Sequence, residues 1–141
     1  MSQGTFKKIG ESTQPMYGPR SILVCGFPPA ERDTIIKLLD SIQLTDLPVI
    51  FTTAADSKER LGDLLTRPDQ SGRNADSGSV RAIVLSGITE NELHRTLSAY
   101  RELGLPRPLW ASLTPFSESW TLSALLEELK QEQIAMEKNK K

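Results

Sequence analysis

Two hydrophobic patterns alternate along this chain. Residues 21–27 form a short apolar run ending in Gly26 and Phe27, as in a strand buried on both faces. Pro28 and Pro29 cannot continue a strand but can open a helix. Ile35, Ile36, Leu39 and Ile42 then recur at helical spacing. Residues 48–53 give a second strand around Val49, Ile50 and Phe51. Asp56 and Glu59 are spaced as a capping pair ahead of a short helix carrying Leu61, Leu64 and Leu65. From Thr66 to Ser79 no apolar period is present, and Pro68, Gly72, Asn74, Asp76 and Gly78 mark a connection.

The pattern then starts again. Residues 81–86 predict a third strand around Ala82, Ile83, Val84 and Leu85. Thr89 and Glu92 form a capping box for a helix whose buried face is Leu93, Leu97, Tyr100 and Leu103. Gly104 is its natural stop. Pro106 and Pro108 lead into a strand over 109–113. Ser117 or Ser119 is positioned to cap a last helix with Trp120, Leu122, Leu125, Leu126 and Leu129 on its apolar side, and the charged residues 137–141 should fray.

Gly26 returns as Gly87, an offset of 61 residues. At that offset Glu31 falls on Glu92, Ile36 on Leu97, Leu44 on Leu105 and Thr53 on Thr114. Leu61, Leu64 and Leu65 fall on Leu122, Leu125 and Leu126. The expected fold class is therefore α/β: a small, mostly parallel four-stranded sheet flanked by helices and built from two βαβα repeats. The expected organisation is a flexible lead-in over 1–20, one domain over 21–132 with repeats at 21–66 and 80–132 joined by 67–79, and a charged tail over 133–141. The sequence does not fix the strand order; 2-1-3-4, with the first strands of the two repeats side by side at the centre, is the order guessed.

Composition removes several function classes. The 141 residues suffice for one domain with a core. A formal net charge of −1 supplies no field for nucleic acid or anionic membrane. No apolar run has the length of a membrane span, and no apolar segment follows Lys7 and Lys8 as a secretory signal requires. One cysteine, Cys25, excludes an internal disulfide, and one histidine, His94, argues against zinc. No cofactor is expected. The expected location is the cytoplasm, with an organelle such as the chloroplast as the alternative if residues 1–20 act as a presequence.

Chemistry has few candidates. In a parallel sheet, ligands sit beyond the carboxyl ends of the strands at a switch point. That singles out a crevice formed by Gly26, Phe27, Ser86, Gly87 and Thr89. Neither the dinucleotide-binding nor the P-loop glycine pattern occurs. Pro28 and Pro29 also remove two N–H donors that a phosphate would use. Cys25 reads as a small buried hydrophobe and His94 as a surface residue. Ser86 lacks the flanking glycines of a nucleophile elbow. No catalytic residue is assigned. Trp110 and Trp120 are the candidate interface residues, since aromatic side chains are good anchors for partners. By alternation Trp110 faces away from Leu109 and Ala111, so it either covers a helix or is exposed.

The second half also carries Ile83-Val84-Leu85-Ser86-Gly87, a helix ending Leu103-Gly104-Leu105, then Ser112-Leu113-Thr114-Pro115, Trp120-Thr121-Leu122 and Leu125-Leu126-Glu127-Glu128-Leu129. Over about residues 81–132 it resembles domain-of-unknown-function family 3783. The chain departs from that family's pattern at Trp110, where lysine is common, and near Ser117, where asparagine is. The resemblance implies a recurring structural unit and no activity, cofactor or catalytic residue. The expected function is a non-catalytic protein-interaction or regulatory module, with another protein as partner. The alternative is a small-ligand or nucleotide binder, or a weak enzyme, using the crevice. The sequence does not fix an oligomeric state.

Overall fold

The computed structural model describes residues 14–75 and 80–139. Its strands are β1 (Ser21–Cys25), β2 (Val49–Phe51), β3 (Ala82–Ser86) and β4 (Leu109–Ser112). Its helices are α1 (Pro29–Ser41), α2 (Leu61–Leu64), α3 (Glu90–Arg101) and α4 (Leu122–Asn139), with a 3-10 turn at Ala54–Lys58. The sheet order is β2-β1-β3-β4, the order guessed above, which the sequence itself does not fix. The sheet is mixed, which corrects the mostly parallel expectation. β1 runs parallel to β2 and β3 parallel to β4, but β1 and β3 are antiparallel. Each half keeps the parallel pairing that a helical crossover demands. The join between halves lies under no such constraint.

All five residues of β1 and all five of β3 are buried, because helices cover both faces. On one face α1 and α3 pack Ile35, Leu39 and Tyr100 against Ile22, Val24, Ile83 and Leu85. On the other, α2 and α4 pack Leu61, Leu64, Leu122 and Leu125 against Leu23, Ile50 and Val84.

The 61-residue offset recurs in the contacts. The central register pairs Leu23 with Val84, residues one offset apart. Arg60 bridges Thr121, again one offset apart. Around that bridge Leu61 N–H donates to Trp120 C=O at 2.9 Å, and Leu122 N–H to Glu59 C=O at 2.9 Å. Arg20 pairs with Glu92, and its counterpart Arg81 pairs with Glu31.

Several local details differ from expectation. The cap of the 3-10 turn is Thr53 with Asp56, not Asp56 with Glu59. Ser117 bonds Thr114, and Thr121 caps α4 by accepting from Ala124 N–H. Trp120 therefore precedes the helix. On α3 the fully buried residues are Thr96 and Tyr100, while Leu93 and Leu103 pack at the core margin. The Thr89–Glu92 capping box is present as predicted. The helix α4 continues through the expected tail to Asn139.

The segment expected as a lead-in is partly built into the fold. Pro15 bridges Thr89, Met16 N–H donates to Ile88 C=O, and Gly87 N–H donates to Tyr17 C=O. Residues 1–13 of that segment, and 76–79 of the connection, lie outside the described residues. Arg20 grips Glu92 with two bonds of 2.7 Å and Asp46 with bonds of 2.8 and 3.3 Å. The guanidinium holds the Glu92 carboxyl below the usual glutamate range, and the Thr89 N–H adds to this. A folded value below the unfolded one stabilises at higher pH, and that stability is lost as pH falls through the folded value. The Tm gap between wild type and Arg20→Met is thus expected to be widest at neutral pH. It should close on acidification below about pH 4. A gap constant from neutral to acid pH would refute the ionic role.

Candidate functional site

The antiparallel join decides the fate of the expected crevice. Cys25 at the end of β1 sits opposite Ala82 at the start of β3, and Ser21 opposite Ser86. Gly26 and Phe27 therefore lie at one end of the sheet, and Ser86, Gly87 and Thr89 at the other. The structure does not bring these five residues together. Both turns are also filled by backbone. A Cβ on Gly26 would lie 2.2 Å from Val80 O, and one on Gly87 2.5 Å from Gly18 O.

Phe27 and Thr89 each have a structural engagement. Phe27 is buried under Arg81, whose guanidinium carbon is 4.5 Å from the ring centroid. Thr89 caps α3. Ser86 is fully buried, and its hydroxyl has no hydrogen-bond partner among the described residues. Burial pushes the Cys25 thiol up to about 12, which keeps it protonated near neutral pH. Native protein should therefore resist Ellman's reagent at pH 8 and react fully once denaturant is added. Rapid native labelling would contradict the buried assignment. His94 is exposed. Among the described residues no three His, Cys, Asp or Glu side chains are grouped to hold a metal ion.

Trp110 and Trp120 belong to opposite faces of the sheet. Trp120, 37% exposed, lies beside Leu61 at the start of α2. Trp110 packs toward α3, as alternation predicts, and its ring meets Tyr100 edge-on at 5.5 Å. Tyr100 in turn meets Phe27 edge-on at 6.2 Å and donates its hydroxyl to Pro106 C=O. This aromatic line fixes Trp110 at the outer margin of the sheet.

That margin is the more exposed edge of the sheet. Every β4 residue is half-buried, against full burial along β1, β2 and β3. A cleft of about 520 Å³ borders it on the α3 side, lined by Leu97, Tyr100, Arg101, Leu105, Arg107 and Trp110. A second, of about 340 Å³, borders it on the α4 side, where Arg107 and Leu109 face Leu129, Glu132 and Met136. Among the described residues Arg101 and Arg107 make no salt bridge. Sequence reasoning found Trp110 and missed both arginines. An arginine at the end of a helix or between two prolines has no local signature of a site.

The opposite margin is closed by the chain itself. Gln70 N–H donates to Val49 C=O at 2.6 Å, and Phe51 N–H to Ser71 C=O at 2.9 Å. The Asp69 carboxylate accepts from Val49 N–H at 2.8 Å. Arg32, 1% exposed, pins the continuation of this segment by donating to the carbonyls of Gly72, Arg73 and Ala75. No described helix is long and apolar enough to cross a membrane. No curated protein and no solved structure matches the chain. Residues 81–136, which take in β3, α3, β4 and most of α4 and so the whole open margin, match the family model described as Domain of unknown function (DUF3783).

Proposed function

We propose that this chain is a non-catalytic protein-interaction module that works through the open margin at β4. The observation that carries this reading is the inequality of the two sheet edges. β2 is covered by residues 69–71, whereas β4 is half-buried and bordered by clefts on both sides. Open edges favour pairing with another chain. Trp110 and Arg107, residue types enriched at interfaces, sit on this one. The test uses the full chain. In extract from its own cells, wild type should retain a partner that Ser112→Pro loses. Equal retention by both, or none by wild type, overturns the reading.

A small-ligand or nucleotide binder is the second reading. What favours it is the pairing of Arg101 and Arg107 with Tyr100 and Trp110 in one cleft, a combination suited to an anionic ring. Thermal-shift measurements with nucleotides and phosphorylated metabolites separate the two: a flat response across the panel removes it. We also infer that the chain arose by duplication of one βαβα unit, because its paired contacts repeat at the 61-residue offset. The cytoplasm is the proposed location, since the lone Cys25 suits a reducing compartment; imaging of a tagged full-length chain checks it.

A further inference from the structure

We propose that the β4 edge takes an extended acidic peptide segment of a partner protein as a fifth strand of the sheet. This rests on the interaction reading above and names the chemistry of the partner. Leu109 N–H donates to Arg81 C=O at 3.0 Å and Leu113 N–H to Leu85 C=O at 2.9 Å. In a parallel ladder alternate residues address the neighbouring strand. Leu109, Ala111 and Leu113 therefore face β3, and the backbone N–H and C=O groups of Trp110 and Ser112 point outward.

The other half of the molecule shows the equivalent groups covered. Trp110 and Ser112 correspond to Val49 and Phe51 at the 61-residue offset. There the Val49 N–H is taken by the Asp69 carboxylate, the Val49 C=O by Gln70 N–H and the Phe51 N–H by Ser71 C=O, all from a segment of successive turns. The covering segment even brings a carboxylate. In the second half the matching stretch of chain is helical, within α4, so the β4 edge stays open.

Charge and shape then select the occupant. Side chains of an added strand alternate between the two faces. On the α3 side they meet Arg101 and Arg107, which calls for a carboxylate. On the α4 side they meet Leu129 and Met136, the latter 63% exposed, beside Glu132 and Glu137, which repel a carboxylate and leave an apolar side chain as the fit. A second copy of this chain would offer β4 itself, Leu109 to Ser112, which contains no acid.

The test uses the full chain and a fluorescent hexapeptide of alternating glutamate and valine. Saturable binding is expected, with slowed amide exchange at Trp110 and Ser112. Ser112→Pro removes an outward N–H and no ladder bond. It should weaken binding about tenfold or more, as should Arg101→Glu with Arg107→Glu. Melting curves of each variant confirm that it folds. The same peptide N-methylated at alternate residues, and a lysine–valine hexapeptide, should not bind. Absence of saturation up to about 1 mM overturns the proposal, as does binding that Ser112→Pro leaves unchanged. A concentration-dependent dimer in sedimentation that Ser112→Pro dissociates also overturns it, by assigning the edge to a second copy. If the cellular partner is retained while the peptide fails, the strand-addition chemistry falls and the interaction reading stands.

Discussion

Gly26→Ala and Gly87→Ala should each destabilise the protein by about 4 kcal/mol, the sum of a strained backbone and an overpacked contact. Both glycines lie in the left-handed region, at φ +74° and +64°. Both are pressed against backbone distant in sequence, where a new Cβ meets Val80 O or Gly18 O. Neither obstacle is a side chain that can rotate away. Gly104 provides the internal control. Its φ is +73°, yet nothing lies within 4 Å of an added Cβ. Gly104→Ala should therefore cost about 1 kcal/mol, the conformational part alone. Urea unfolding of the three variants separates the contributions. Equal losses at all three positions would show that close approach is not what these turns require.

Arg32→Met should cost about 3 kcal/mol and release a strand edge. The substitution keeps the apolar stem that packs beside Phe51, where the guanidinium carbon sits 5.7 Å from the ring centroid. It removes donors to four carbonyls, those of Phe27, Gly72, Arg73 and Ala75. Those bonds fasten α1 to the segment that covers β2. Loosening it should speed hydrogen exchange at Gln70 and Phe51 amides, leaving those on β3 slow until global unfolding. An uncovered β2 also adds a second open edge, so the variant should aggregate at concentrations where wild type stays dispersed. Light scattering measures this. A variant as stable as wild type, with unchanged exchange at Gln70 and Phe51, would refute the pinning role.

The strands and their alternation with helices were legible because hydrophobic period and caps act locally; the strand order was not written in the sequence, and 2-1-3-4 was a guess that the observed order matches. The direction of β3 against β1 was not legible either. Both strands are buried on both faces, so their residues carry no polar stripe to mark orientation or register. Everything expected at the carboxyl ends of the strands depended on that direction, and the crevice fell with it. Caps show a finer version of the same limit. Thr89 and Glu92 were read correctly, whereas Asp56 fits the spacing both with Glu59 and with Thr53, and packing chooses Thr53. Arg32 was invisible for another reason. A charged residue in a helical pattern reads as surface, and its carbonyl partners come from a loop 40 or more residues away. Trp110 was legible as an aromatic facing away from its neighbours, but its significance lies in which strand has no neighbour.

The pairing of Leu23 with Val84 and of Arg60 with Thr121 has a consequence for how the molecule assembles from the unfolded chain. Each half meets the other through interchangeable contacts, so the first half of one molecule offers the second half of another the same surface it offers its own. Refolding in concentrated solution should therefore trade halves between chains across the connection from Ala75 to Val80, giving interlocked dimers whose yield rises with concentration. Dilute refolding should return monomers with the same sheet.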